Sequence, residues 1–392
     1  MAVEYASRAE VRSRRREAAD VASFVRRLDW LLVGAVAALV GYGLWAINGI
    51  TQHDVPGNPN YYLVRQSLFV GAGAACLLVA VIIDPAWYRR HWRLIFGGTT
   101  GVIVLVLLAG SVTRGSRRWL DLGAFRFQPS EFGKVFFVLA LAGFLAERTK
   151  RIGERRTTLT AIGLAAVPTF FVFVQPDIGT AMVYVAALAA ILFVAGVRWT
   201  HLAILGGLAV VVATTVLWLA PAAGVHILRD YQVQRLTGFF NPNGDPGGAT
   251  YNIVQSKNAI GAGELRGRGV AGATQTTLHF LPEHHTDFVF ASLAEERGFI
   301  GASILLGLYL LVVWRGMRIV TLARDPFSAI VAGGLVFALL FQIFVNVGMT
   351  MGIAPITGIP LPFLSVGGSA MIANLLGVGI LLSIHARSRV RR

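Results

Sequence analysis

The chain has 392 residues, of which 55% are hydrophobic and only 14% charged, and its formal net charge is +15. Soluble domains carry about a quarter charged residues, so this chain, with a mean hydropathy of +0.64, has too few polar groups to cover a water-facing surface, and lipid is the expected solvent. The basic excess does not point to nucleic acid: the arginines sit in short loops and at both ends between apolar runs, a pattern that suits membrane topology and anionic lipid, and no basic segment carries interleaved aromatics.

Residues 1–28 form a basic extension with Arg14, Arg15 and Arg16 in a row and Arg26 and Arg27 further on. No small-residue cleavage site follows a short apolar core, so a cleaved signal peptide is not expected. The rest reads as one membrane domain, 29–386, followed by a basic tail, 387–392. A crossing helix needs about 20 apolar residues. Ten stretches qualify, near 29–48, 63–83, 94–111, 130–147, 158–175, 177–196, 200–220, 288–314, 328–350 and 364–385. The expected fold is therefore an all-α polytopic membrane protein with ten transmembrane helices. The single cysteine, Cys76, lies in the second span and allows neither an intrachain disulfide nor a cysteine metal cluster.

Ten spans put Arg89, Arg90, Arg93, Arg148, Lys150, Arg151, Arg155, Arg156, Arg198, Arg315, Arg318, Arg324 and Arg387 on the same side as the N-terminal extension. By the positive-inside tendency that side is cytosolic, and both termini are inside. The outer loops 51–60 and 351–362 carry no Lys or Arg. One outer loop, 113–127, breaks the rule with Arg114, Arg117, Arg118 and Arg126, as expected if they serve a phosphate-bearing ligand.

Charges inside the spans are costly and usually paired or functional. In QPSEFGK, Glu131 and Lys134 share a helix face, with Pro129 suited to the first turn. In QPDIGTA, Asp177 can cap the sixth span or face a cavity. The long outer loop, 221–287, reads as partly helical: RDYQVQRLTGFF has the pattern of an interfacial amphipathic helix, NPNGDPGG is a turn cluster, and YNIVQSKNAIGAG suggests a second helix.

The block LPEHHTDFVFASLAEERGFIG, 281–301, crowds acidic and imidazole groups at the mouth of the eighth span. His285 and Asp287 alone make a poor metal site, so a structural zinc is not expected, whereas a divalent ion held partly by substrate phosphates needs few protein ligands. Asp287 at the outer surface could take a proton from a sugar hydroxyl. Glu295 and Glu296, deeper in the span, are expected to serve mainly in pairing. In the last outer loop, three prolines and the SVGGS segment bring irregular backbone to membrane depth, where Ser365, Gly367 and Gly368 could present N–H groups to an anion. These parts suit glycosyl transfer from a lipid-linked donor, and a transporter would use the same ones.

GSRRWLDLG, QPSEFGK, QPDIGTA, YQVQRLTGFFNP, YNIVQSKNAIGAGELRGRG, LPEHHTDFVFASLAEERG and PITGIPLPFLSVGGS together resemble the SEDS family of bacterial shape, elongation, division and sporulation proteins, over nearly all of residues 30–387. ITGIPLPF favours the elongation type over the division type. The resemblance implies a peptidoglycan glycosyltransferase that polymerises lipid II into β-1,4 glycan strands outside the cytoplasmic membrane, with a class B penicillin-binding protein as partner and Mg²⁺ or Mn²⁺ as cofactor. It puts the catalytic aspartate at Asp287 and supporting groups at Glu131, Lys134, Arg117, Arg118, Arg235, Lys257, His285 and the Ser365, Gly367, Gly368 segment. A lipid II flippase and a noncatalytic scaffold for the penicillin-binding protein are the alternatives. Two departures stand out: Val366 replaces the family's usual tyrosine, and Glu264 stands where glycine is frequent, which suggests a differently shaped loop there.

Overall fold

The structure is a computed structural model that describes residues 22–113, 116–121, 123, 126–224, 233, 239 and 249–388. Ten helices occupy the ten expected places: α1 Trp30–Ile50, α2 Tyr61–Ile82, α3 Trp92–Ala109, α4 Pro129–Ala146, α5 Arg155–Val174, α6 Ile178–Val194, α7 Trp199–Thr214, α8 Val289–Leu322, α9 Pro326–Thr350 and α10 Gly368–Ser388. Eight are long and apolar enough to cross a membrane, and α6 and α7 are shorter apolar helices of 17 and 16 residues. Helix starts follow local chemistry. Asp29, Asp177 and Asp325 each accept a backbone N–H from the first turn, and proline occupies the first turn of α4 and α9.

Helices α4, α9 and α10 form the centre of the bundle, and their apolar windows are 83%, 72% and 89% buried. The outer helices expose large apolar side chains such as Leu68, Leu94, Leu108, Trp199 and Leu310, as a lipid-facing surface requires. Without a hydrophobic force between helices in lipid, small residues permit close backbone approach. At Gly379 of α10 an added Cβ would fall 2.5 Å from the carbonyl oxygen of Leu77 on α2.

At one end of the bundle, called here the hairpin end, the 111–127 stretch is not a simple loop. It folds as three short antiparallel strands, β1 Ser111–Thr113, β2 Ser116–Asp121 and β3 Arg126–Phe127, in the order β1-β2-β3. Strands this short have no hydrophobic period to announce them. The helix Ala249–Ala262 confirms the second helix expected in the long loop. The expected amphipathic helix at 229–240 falls almost wholly outside the described residues, as does most of the extension 1–28.

Helix α8 is not one continuous rod. Gly298 adopts φ 64, ψ −165, a region open essentially to glycine, and divides α8 into a short buried first segment and a long second one. Residues 263–268 splice the break. The N–H groups of Phe299 and Ile300 donate to the carbonyls of Glu264 and Leu265 at 2.8 and 3.1 Å, and the Arg268 N–H donates to the Glu295 carbonyl at 2.9 Å. The orphaned groups of two helix ends are thereby satisfied. An added Cβ at Gly298 would lie 2.3 Å from the Gly267 nitrogen, so the splice also needs glycine for space. Glu264 itself holds φ 47, so the residue standing in glycine's place takes the left-handed backbone that glycine would adopt freely.

Candidate active site

The 283–288 block is a tight turn at the hairpin end. The Glu283 carbonyl accepts the N–H groups of Thr286 and Phe288 at 3.1 and 3.2 Å, with Glu283 at φ 54. Three successive carbonyls of this turn are then gripped from the other side of the site. His285 accepts the Val366 N–H at 3.0 Å, Thr286 accepts the Ser365 hydroxyl at 2.6 Å, and Asp287 accepts the Asn346 side-chain amide at 2.9 Å. Asp287, half-buried, therefore has its backbone fixed by α9 and by the irregular segment that precedes α10.

Ser365 and Gly367 do not offer free donors to an anion. The Ser365 hydroxyl also accepts the Leu361 N–H at 2.8 Å, and the Gly367 N–H donates to Gln66 Oε1 at 3.2 Å, while Gln66 Nε2 donates to the Ser365 carbonyl at 3.1 Å. This segment thus acts as a frame for the Asp287 turn. Gly368 opens α10, and Ser369 holds the neighbouring strand end by accepting the Gln128 N–H at 2.9 Å. In this frame Phe363 is buried and held at φ 65, and such strain persists only where the surroundings over-determine it.

Below the turn, Lys134 Nζ sits 2.8 Å from Glu131 Oε2 and donates to Gln342 Oε1 at 2.7 Å, all three side chains buried. Gln342 and Asn346 are one turn apart on α9, so a single helix face touches both the Glu131–Lys134 pair and the Asp287 backbone. Asp177 both caps α6 and joins the site periphery: it accepts the Thr180 N–H at 3.2 Å and Gln128 Nε2 at 3.1 Å, and Arg118 Nη1 lies 3.7 Å away. Arg117 lies on β2 opposite Val112, Lys257 is exposed on the helix Ala249–Ala262 beside Gly352, and Arg235 falls outside the described residues. Deeper in α8, Glu295 is held by hydrogen bonds rather than by an arginine, accepting the N–H groups of Gln275 and Thr276 and the Thr276 hydroxyl at 2.7–3.0 Å.

On the other flank, His284 Nε2 lies 2.9 and 3.1 Å from the two carboxylate oxygens of Asp54, and His285 Nδ1 lies 3.5 Å from Asp54 Oδ2, with its ring against Tyr62. Burial by itself would raise the Asp54 carboxyl. The hydrogen bond to His284 and the charges of His284, His285 and His279 outweigh it and hold the group below its ordinary range. With His279, these groups form a cluster of ligand types in which one atom from each of Asp54, His279 and His284 lies within 4.8 Å of the others. Of the residues the sequence block offers, only His284 enters this cluster, and the fold adds Asp54 and His279.

Asn346, Gln342, Gln66 and Asp54 were not picked out by sequence reasoning. Gln342 and Asn346 carry a usable signal, two amides four residues apart in an otherwise apolar run. Asp54 carries none, because its partner is 230 residues away.

The fold and site together define a multi-pass helical membrane protein whose polar groups converge on one end of the bundle around a held aspartate. The chain belongs to the FtsW/RodA/SpoVE family of cell cycle proteins, whose profile matches residues 23–390. It is 40% identical over 363 residues to the peptidoglycan glycosyltransferase MrdB of Escherichia coli, covering 93% of this chain and 95% of that protein. It is 36% identical over 375 residues to stage V sporulation protein E of Bacillus subtilis, covering 94% and 98%. Among solved structures it superposes on a chain of a peptidoglycan synthase complex described as coordinating polymerization and crosslinking, with a TM-score of 0.79, 29% identity and coverage of 93% and 99%. It also superposes on the rod shape determining protein RodA of Thermus thermophilus, with a TM-score of 0.68, 27% identity and coverage of 93% and 98%.

Proposed function

We propose that this protein is an inverting peptidoglycan glycosyltransferase of cell elongation, in which Asp287 is the general base. The observation that carries this reading is the three-point grip on the Asp287 turn, in a chain 40% identical to a named peptidoglycan glycosyltransferase. Asp287 takes the proton from the 4-hydroxyl of the acceptor N-acetylglucosamine. That oxygen bonds to C1 of the donor N-acetylmuramic acid, and the C1–O bond to undecaprenyl pyrophosphate breaks, leaving a β-1,4 link. A backbone held at three points fixes where this carboxylate starts, which limits the reorganisation needed as the proton moves. Arg118, and Arg117 and Arg235 by resemblance, offset charge on the pyrophosphate, while Glu131 and Lys134 shape the cavity beside it and Lys257 contributes from the loop helix.

A Mg²⁺ or Mn²⁺ ion would be held by Asp287 together with substrate phosphates, since such ions take one or two carboxylates and complete their shell with phosphate and water oxygens. When bound it supplies positive charge to the leaving group. The arginine-rich end is the cytosolic one in this reading, with both termini inside and the hairpin end facing outward from the bacterial cytoplasmic membrane. Lipid II is the substrate, a class B penicillin-binding protein the partner that crosslinks the product, and anionic lipids meet the basic loops.

The test is strand formation from purified lipid II by Asp287→Asn complexed with its partner. Polymer is expected to vanish; undiminished synthesis overturns the assignment. Transport of labelled lipid II across a bilayer with no polymer from the wild type would replace it with a flippase.

A further inference from the structure

We propose that Asp54, His279 and His284 bind a transition-metal ion of the Zn²⁺ class, which fastens the loop 51–60 to the block that carries Asp287. The three residues come from two separated segments and offer one carboxylate oxygen and two imidazole nitrogens within 4.8 Å of one another. The His279 and His284 rings stand 5.3 Å apart, and the Asp54 and His284 side chains are 7% and 6% exposed. Two walls of the site are thus dry, and the third, the exposed His279, opens to solvent. That leaves a coordination position for water.

The donor set decides the class of ion. Imidazole nitrogen suits zinc, cobalt and nickel, whereas magnesium and calcium require nearly all-oxygen cages. The site is therefore different in kind from an ion held by Asp287 and substrate phosphates. Tetrahedral bonds of about 2.0–2.1 Å place ligand atoms roughly 3.3 Å apart. The His284 and Asp54 atoms are already closer than that, so His279 supplies the contraction. It sits at a bend with φ 56, a left-handed backbone unusual for histidine. Ion binding replaces the His284 Nε2 contact with Asp54 by a bond from each group to the metal. His285, 3.5 Å from the second Asp54 oxygen, is placed to orient the carboxylate from outside the ligand set. The rival arrangement is a plain hydrogen bond between His284 and Asp54, in which His279 has no part.

The two are separated by binding, without reference to polymer synthesis. Full-length protein in detergent, its affinity tag removed and its metals stripped by chelation, is titrated calorimetrically with Zn²⁺ in excess Mg²⁺. One Zn²⁺ per chain is expected, with a rise in unfolding temperature. His279→Ala changes an exposed side chain and should fold normally, as size exclusion and circular dichroism will check; it is expected to weaken binding by at least about tenfold. His53→Ala, adjacent to Asp54 in sequence but outside the cluster, is expected to bind as the wild type does. Failure of the folded wild type to bind Zn²⁺, or a loss in His279→Ala smaller than about tenfold, overturns the proposal.

Discussion

Asn346 donates to the Asp287 carbonyl at 2.9 Å and to the Ile359 carbonyl at 2.8 Å, so one buried amide ties the catalytic candidate to the loop after α9. Replacing it with alanine leaves two carbonyls without their donor, at a cost of about 1–3 kcal/mol. Because the bond fixes orientation and not substrate contact, the loss should fall on turnover. Asn346→Ala is expected to lower kcat for lipid II polymerisation by about tenfold or more, with KM little changed. Steady-state assays with labelled lipid II check this; a KM effect alone would move Asn346 into substrate binding.

The Glu131–Lys134 pair is buried, and Gln342 satisfies the lysine from α9. Removing one partner strands the other charge in the bundle. Lys134→Ala should destabilise by about 3–5 kcal/mol, whereas Lys134→Met combined with Glu131→Gln should recover most of that. Thermal unfolding in detergent compares them. The double variant is nonetheless expected to polymerise poorly, since the cavity it shapes has lost its charges. Equal stability of the single and double variants would contradict the pairing argument.

The ten helices were legible because lipid requires long apolar runs, and the arginine loops marked their ends. Glu131 and Lys134 stood out because charge at membrane depth is rare, and Asp287 because acidic and imidazole groups crowd the mouth of the eighth span. The small sheet at 111–127 was not legible, since its longest strand, SRRWLD, has no apolar alternation and the others are two or three residues long. Nor was the break in α8: EERGFIG reads as continuous helix, and only the 263–268 splice makes a break affordable. The Asp54–His284 contact joins segments whose proximity is a product of packing.

Glu264 holds φ 47 with an exposed side chain, and its carbonyl is needed for Phe299. An L-residue in the left-handed region costs roughly 1–2 kcal/mol, partly offset by the greater unfolded-state freedom of glycine. Glu264→Gly is therefore expected to stabilise the protein by about 0.5–1 kcal/mol. Gly298→Ala should do the reverse and more severely, because its Cβ would meet backbone at 2.3 Å. Unfolding temperatures of the two variants test both signs; a less stable Glu264→Gly would mean that the glutamate side chain makes a contact worth more than the strain.

At the arginine-rich end, Asp29 caps α1 through the Leu32 N–H at 3.1 Å and receives Arg315 of α8 at 2.6 and 3.0 Å, with His385 of α10 at 3.9 Å. The aspartate is almost wholly buried and the arginine nearly so. Three helices are therefore joined at the end opposite Asp287. Asp29→Ala removes a cap and leaves a guanidinium unpaired, so it should cost about 3–5 kcal/mol. Asp29→Asn keeps the cap and loses only the charge, and should fall between. Asp29→Leu with Arg315→Leu removes both charges and should cost little more than the lost cap, about 1 kcal/mol. Polymerisation per folded molecule is expected to stay at the wild-type level in all three, because the clasp acts on stability. A variant that folds normally yet polymerises slowly would instead tie this end of the bundle to the chemistry at the other.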